Sequence, residues 1–248
     1  MTETIVETVR REPDKWSLFL DIDGTLIDLA ETPDGVKVPK ALPGQLNRVS
    51  KKLGGALALV TGRSLDYADA LFSPHTFPTA GLHGAEIRAG GKLIQSEPTA
   101  AFVKLKHQLL QEAEHYPGVL IEDKGGAVAA HYRMAPQFET QLEERMRHYA
   151  ELAGPKWALQ LGKMVFELRP ARSSKGDALE RFMQTAPFSN RVPIAIGDDL
   201  TDESMFATAN ARGGTSLFVG SSTASTCATG RLPTPEAVRT LVAELAAK

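Results

Sequence analysis

Five short apolar runs punctuate the chain, at Leu18 to Ile22, Ala56 to Val60, Thr79 to Leu82, Val192 to Ile196 and Ser216 to Val219. Runs of this length that end in Gly or Asp and lead into helical patterns predict strands buried on both faces, as in a parallel sheet flanked by helices. The middle of the chain has another rhythm. Pro98 to Tyr116 and Pro136 to Leu152 predict amphipathic helices of about four to five turns. Two strands follow the first helix, Val119 to Glu122 and Ala127 to Tyr132, about a turn at Lys124, Gly125 and Gly126. Two follow the second, Trp157 to Leu161 and Met164 to Leu168, about Gly162 and Lys163. An α-β-β-α-β-β order marks a separate antiparallel module inserted into an α/β domain. The expected fold is therefore a Rossmann-like parallel-sheet core over residues 1–93 and 170–248, with an inserted α/β module over 94–169. Gly90, Gly91 and Ala171 to Ser174 supply the hinge-like loops between them.

The chemistry-bearing residues gather at the ends of the predicted strands. Ligands of open α/β sheets bind beyond the carboxyl ends of strands, so Asp21, Asp23, Thr61 and Asp198 are expected to converge. Asp21-Ile22-Asp23-Gly24-Thr25-Leu26 leaves a buried strand directly into a glycine turn. Acids two residues apart lie on one side of an extended chain, and their mutual repulsion is relieved by a divalent cation. A solvated acidic loop is the commoner meaning of an isolated pair. The apolar Leu18 to Leu20 before it and the Gly-Thr-Leu after it point to a built site.

At these residues the sequence resembles the haloacid dehalogenase-like phosphohydrolases, whose first motif is DxDGT. Val60-Thr61-Gly62-Arg63, Lys175-Gly176 and Gly197-Asp198-Asp199-Leu200-Thr201-Asp202-Glu203 are similar to the second, third and fourth motifs, in the right order. The resemblance implies that Asp21 attacks phosphorus in line. The Asp23 side chain would protonate the leaving oxygen, then take a proton from the water that hydrolyses the acyl phosphate. Thr61 would donate a hydrogen bond to a phosphate oxygen, Gly62 would let the backbone approach, and Lys175 would neutralise phosphoryl charge. The implied metal set is Asp21, the backbone carbonyl of Asp23, and Asp198, with Asp199 and Asp202 holding waters or orienting neighbours. Oxygen-only ligands and a phosphate substrate favour Mg2+. Asp199 and Asp202 also read as the acidic cap of a helix beginning at Glu203.

Further matches narrow the family. Gly81-Leu82-His83-Gly84-Ala85-Glu86, Glu122-Asp123-Lys124-Gly125, His131-Tyr132-Arg133 and Glu167-Leu168-Arg169-Pro170 look like trehalose-6-phosphate phosphatases. That resemblance implies a phosphorylated disaccharide as substrate and a specificity role for the insert. Glu122, Lys124 and Glu167 are the sugar-recognition candidates, since paired carboxylates and cations suit several hydroxyls. The same charges also fit a solvated ladder across a small sheet. His131 and Arg133 alternate with Tyr132 and are expected on one sheet face, where they either reach the phosphate or cover the module's surface. Arg63, His83 and Gly84 sit nearer the core site, and a turn or helix-end role fits Arg63 and His83 equally. Ile22 occupies a position where Tyr is common in that family, and it suits a buried strand. Sucrose-, mannosylglycerate- and hexose-phosphate phosphatases, a phosphomutase and a turnover-free sensor remain open as rivals.

Composition narrows the partners. With 28 basic and 30 acidic residues and a formal charge of -2, the 248-residue chain has no field to gather nucleic acid or anionic lipid. The single Cys227 forms no internal disulfide, and no apolar run approaches the roughly 20 residues of a membrane span. Residues 1–15 lack the apolar core of a signal peptide, so a cytoplasmic protein is expected. Met1 to Ser17 is too short for an upstream synthase domain, and a stand-alone monomer acting on a small phosphosugar is the expectation. No glycine fingerprint for a dinucleotide follows the first strand.

Overall fold

The computed structural model describes residues 2–29, 35–95, 98–162, 164–171, 173–220 and 225–247. Helix α1 (Thr2–Arg11) precedes strand β1 (Trp16–Leu20); α2 (Leu42–Lys52), β2 (Leu57–Val60), α3 (Leu65–Phe72) and β3 (Thr79–Gly81) follow. Two short strands, β4 (Glu86–Ala89) and β5 (Lys92–Gln95), close this part. The middle of the chain contributes α4 (Ala100–Glu112), β6 (Leu120–Asp123), β7 (Val128–His131), α5 (Glu139–Ala153), β8 (Trp157–Gly162) and β9 (Val165–Pro170). The last part holds α6 (Lys175–Met183), β10 (Val192–Gly197), α7 (Glu203–Ala211), β11 (Thr215–Val219), β12 (Gly230–Leu232) and α8 (Pro235–Ala246). Two compact units result, residues 1–94 with 174–248, and residues 95–173.

In the first unit eight strands form one sheet in the order β12-β11-β10-β1-β2-β3-β4-β5. The expected parallel α/β core is present: β10, β1, β2 and β3 run parallel, while β4 pairs antiparallel with β3. The central strands are buried throughout, so both faces need helices, and side chains such as Phe19, Phe182 and Phe188 fill the layer between sheet and helix. Register fixes the active edge. Leu20 stands opposite Ile196 on one side and Leu59 on the other, so the chains leave the sheet together at Asp21, Gly197 and Val60-Thr61.

The pattern overlooked β4, β5 and β12, which are three or four residues long and carry charges in place of an apolar run. It also overlooked α1, whose Val6 and Val9 are buried one turn apart.

The second unit has the expected element order, with the sheet order β6-β7-β9-β8, every pair antiparallel. Each of its two long helices has a short 3-10 turn at one end, Ala113–His115 after α4 and Pro136–Phe138 before α5. One sheet face presents Val128, Ala130, Phe166 and Leu168, which build a core with Phe102, Leu105 and Leu109 of α4 and Leu142, Met146 and Tyr149 of α5. Phe102 stacks on Trp157, ring centroids 3.5 Å apart. By the two-residue alternation of strands, Glu122, His131, Gln160 and Glu167 share the opposite face. Arg133 departs from expectation. β7 ends at His131, and Arg133 lies exposed in the following turn, because the backbone leaves the ladder where Tyr132 N–H bonds Met164 O and Ala135 N–H bonds Tyr132 O. Lys163 and Arg172, parts of an expected turn and loop, lie outside the described residues.

Candidate active site

Asp21 is the first residue beyond β1, anchored by its own N–H to Ile196 O at 3.0 Å. Its Oδ1 lies 3.0 Å from Lys175 Nζ. Lys175 begins α6, where a positive charge opposes the helix dipole, and it is 2% exposed. Two carboxylates make that position tenable: Asp21, and Asp202, whose Oδ1 accepts from the ammonium at 2.7 Å. Burial works against the charged lysine, yet Asp202 and then Asp21 outweigh it and push its pKa up.

Asp202 is fully enclosed, and its other oxygen accepts from the N–H groups of Asp198 and Asp199 at 3.0 and 3.1 Å. Both its oxygens are thus engaged by protein donors, which makes it the anchor of the loop after β10. Asp198 Oδ1 accepts from Thr25 Oγ1 at 3.3 Å. Burial first, then Asp202 and Asp199, push the Asp198 carboxyl up to about 7. Asp21 is raised as well, chiefly by burial, with Lys175 opposing and Asp202 and Asp198 adding to the rise.

Ligand oxygens of Asp21, Asp198 and Asp202 all lie within 4.8 Å of one another. Three carboxylates against one ammonium leave two negative charges, the charge a divalent cation balances. The donor set is all oxygen, so the residues fit a hard cation such as Mg2+. Gly24 makes the approach possible. At φ +75° it turns the chain back, and a Cβ there would stand 2.1 Å from Asp198 Oδ2.

The side chain of Asp23 stands apart from this cluster. Arg63 grips it through two parallel bonds, Nε to Oδ2 at 2.8 Å and Nη2 to Oδ1 at 2.7 Å, and the guanidinium also lies over the Tyr67 ring. Thr61 is buried at the end of β2, its Oγ1 accepting from Arg63 N–H at 3.1 Å. His83 reaches the same neighbourhood by an unusual backbone. Leu82 and His83 have φ of 47° and 54°, and Gly84 follows at 100°. For Leu82 and His83, which are not glycine, this costs about 1 kcal/mol or more each, and bonds from Leu82 N–H to Arg63 O and His83 N–H to Thr61 O hold the turn. It carries the imidazole against Gly62, where a Cβ would lie 2.8 Å from Nε2.

Asp199 serves as an N-cap. It is exposed, and its Oδ1 accepts from Thr201 N–H and Oγ1 at the start of a short 3-10 turn, Leu200–Asp202, that runs into α7. In the second unit, Lys124 pairs with Glu167 at 3.2 Å and His131 Nε2 lies 2.9 Å from Glu122 Oε2. Three contributors escaped the sequence reading: Thr25, which holds Asp198; Ser204, whose Oγ accepts from Gly176 N–H at 3.1 Å; and Glu86, which accepts from Leu65 N–H at 3.1 Å. Thr25 was visible inside the first motif, and Glu86 as the last residue of the Gly81 to Glu86 segment. Ser204 carried no signal.

The parallel sheet with this acid–lysine cluster at the carboxyl edge of its central strands fits the class of phosphohydrolases that the four motifs resemble. Within that class the chain belongs to the trehalose-phosphatase family, whose model, described as Trehalose-phosphatase, matches residues 19–234. It is 55% identical to a Sinorhizobium fredii protein named probable trehalose-phosphate phosphatase, over 98% of this chain and 92% of that one. It is 44% identical to the trehalose-6-phosphate phosphatase of Escherichia coli, over 94% of this chain and 86% of the other. The C-terminal domain of C. albicans trehalose-6-phosphate phosphatase superposes with a TM-score of 0.82 at 21% identity, covering 99% of this chain and 97% of that domain. That likeness speaks for the fold.

Proposed function

We propose that this enzyme hydrolyses trehalose 6-phosphate to trehalose and phosphate through a phospho-aspartate on Asp21. The observation that carries the reading is the convergence of Asp21, Lys175, Asp198 and Asp202 at one sheet edge. The Asp21 carboxylate attacks phosphorus, the bond from phosphorus to the sugar oxygen breaks, and Asp23 donates the proton that oxygen needs. Water then attacks phosphorus, the bond from phosphorus to the Asp21 oxygen breaks, and Asp23 takes a proton from that water. Arg63 holds the ionised Asp23 carboxylate through paired bonds to both oxygens, the form that takes a proton in the second step; one of these bonds opens when Asp23 carries the proton for the first. Lys175 stays charged throughout, holding Asp21 in line and countering phosphoryl charge, while Thr61 and the backbone at Gly62 receive phosphate oxygens. Asp21, Asp198 and the Asp23 carbonyl would hold Mg2+, with Asp202 orienting the loop. When bound, the ion neutralises phosphoryl oxygens and so lowers the barrier to attack by an anion.

Residues 94–169 serve in this reading as the specificity cap, with Glu122, Lys124 and Glu167 contacting sugar hydroxyls. The names of the similar Sinorhizobium fredii and Escherichia coli proteins support the disaccharide. Phosphate release with Mg2+ present tests both parts. The wild type is expected to prefer trehalose 6-phosphate to glucose 6-phosphate by at least about tenfold, and Asp21→Asn is expected to release no phosphate while remaining folded. Near-full turnover by Asp21→Asn would overturn the mechanism, and equal use of the two sugars would overturn the substrate.

A further inference from the structure

The buried stripe of α4 contains a lysine. Phe102, Leu105, Lys106 and Leu109 are its buried positions, at the i, i+3, i+4, i+7 spacing of a core-facing face, and Lys106 is 7% exposed. Its Nζ donates to Asp123 Oδ1 at 2.6 Å and to Gly125 O at 2.8 Å. The same Asp123 oxygen accepts from Gly125 N–H at 2.8 Å, and Gly125 takes φ +71°. Lys106 thus ties the start of one tight turn, at Asp123, to its middle, at Gly125, and that turn displays Lys124, whose ammonium lies 3.2 Å from Glu167 Oε1.

We propose that Lys106 is a positioning residue for substrate recognition, holding the Asp123 to Gly126 turn in the one shape that sets Lys124 beside Glu167. Stability does not account for a lysine here. Asp123 is 44% exposed, and an ion pair with so wet a partner contributes little. An apolar side chain at 106 would complete the stripe, and exchanging a buried charge for a packed apolar group is often neutral or stabilising. Lysine instead supplies what no apolar residue has, a donor reaching a carboxylate and a carbonyl together. The backbone bond from Lys124 N–H to Ala127 O at 3.0 Å closes the turn, but with Gly125 and Gly126 it leaves several shapes open, among which the Lys106 tie selects one.

This inference rests on the proposed role of Lys124 and Glu167 in binding the disaccharide. In Lys106→Met, KM for trehalose 6-phosphate is expected to rise about tenfold at unchanged kcat, with the melting temperature not lowered and turnover of p-nitrophenyl phosphate unchanged. Lys106→Arg, which donates to both acceptors, is expected to restore KM. Asp123→Ala, on the exposed side of the tie, is expected to reproduce the KM increase and gives a second reading if Lys106→Met fails to fold. Unchanged KM in the Met and Ala variants, or a parallel fall in turnover of both substrates, overturns the inference. Lys124→Ala separates it from the reading beneath: if Lys124→Ala raises KM and Lys106→Met does not, only the role of Lys106 falls, whereas unchanged KM in Lys124→Ala removes the sugar-contact role itself.

Discussion

Gly24 shows how much of the chemistry hangs on a missing methyl group. The turn it makes lets Asp198 lie against the first motif, and a side chain at φ +75° is strained even before it meets the Asp198 carboxylate. Gly24→Ala is therefore expected to displace Asp198 and to lower kcat by about a hundredfold. A steady-state phosphate assay read beside far-UV circular dichroism checks this, and wild-type kcat in a folded variant counts against it. Asp23 and Arg63 make a contrasting pair. Their two-bond geometry fixes the Asp23 carboxylate, an arrangement invisible from a spacing of 40 residues.

Helix α6 performs two tasks that conflict. Its first residue is Lys175, a poor choice at the positive end of a helix, and the compensation comes partly from outside, through Asp21 and Asp202. The rest is local. Ser174 caps the helix, accepting from Asp177 N–H at 3.0 Å and donating to the Asp177 carboxylate at 2.7 Å. Ser174→Ala is expected to cost about 1 kcal/mol of stability, measured as a shift in urea midpoint at constant slope. No shift would mean that α7, through Ser204 and Gly176, carries the helix start alone.

The whole molecule is nearly neutral, with a formal charge of -2, while one small region of the first unit concentrates three carboxylates. The Asp198 carboxyl, ordinarily near 3.8, is pushed up to about 7, and Asp21 moves the same way. An acid whose pKa is raised on folding binds more protons folded than unfolded. Its contribution therefore erodes stability as pH rises from its ordinary value toward about 7, and the loss is complete above that. A divalent cation binds the ionised form and reverses the loss. Magnesium is accordingly expected to raise the melting temperature more at pH 8 than at pH 5, relative to chelator. Equal shifts at both pH values would exclude Asp198 as the titrating ligand.

Much of this was readable from the chain before folding was considered. Apolar runs at β1, β2 and β10 announced a buried parallel sheet, since strands covered on both faces have no polar alternation. The α-β-β-α-β-β order announced the second unit, and motif spacing singled out the acids and the lysine. Local pattern said nothing of short charged strands such as β4 and β5, whose pairing comes from the neighbouring sheet edge. It put Arg133 on the sheet face of His131, where β7 ends. Composition and order along the chain thus determined the residue types and the class of chemistry, because those follow from each residue and its near neighbours. Which carboxylate anchors the lysine, which arginine grips Asp23, and which turn Lys106 holds were decided only by the tertiary structure, because strand register and helix packing bring together groups that lie 17 to 40 residues apart.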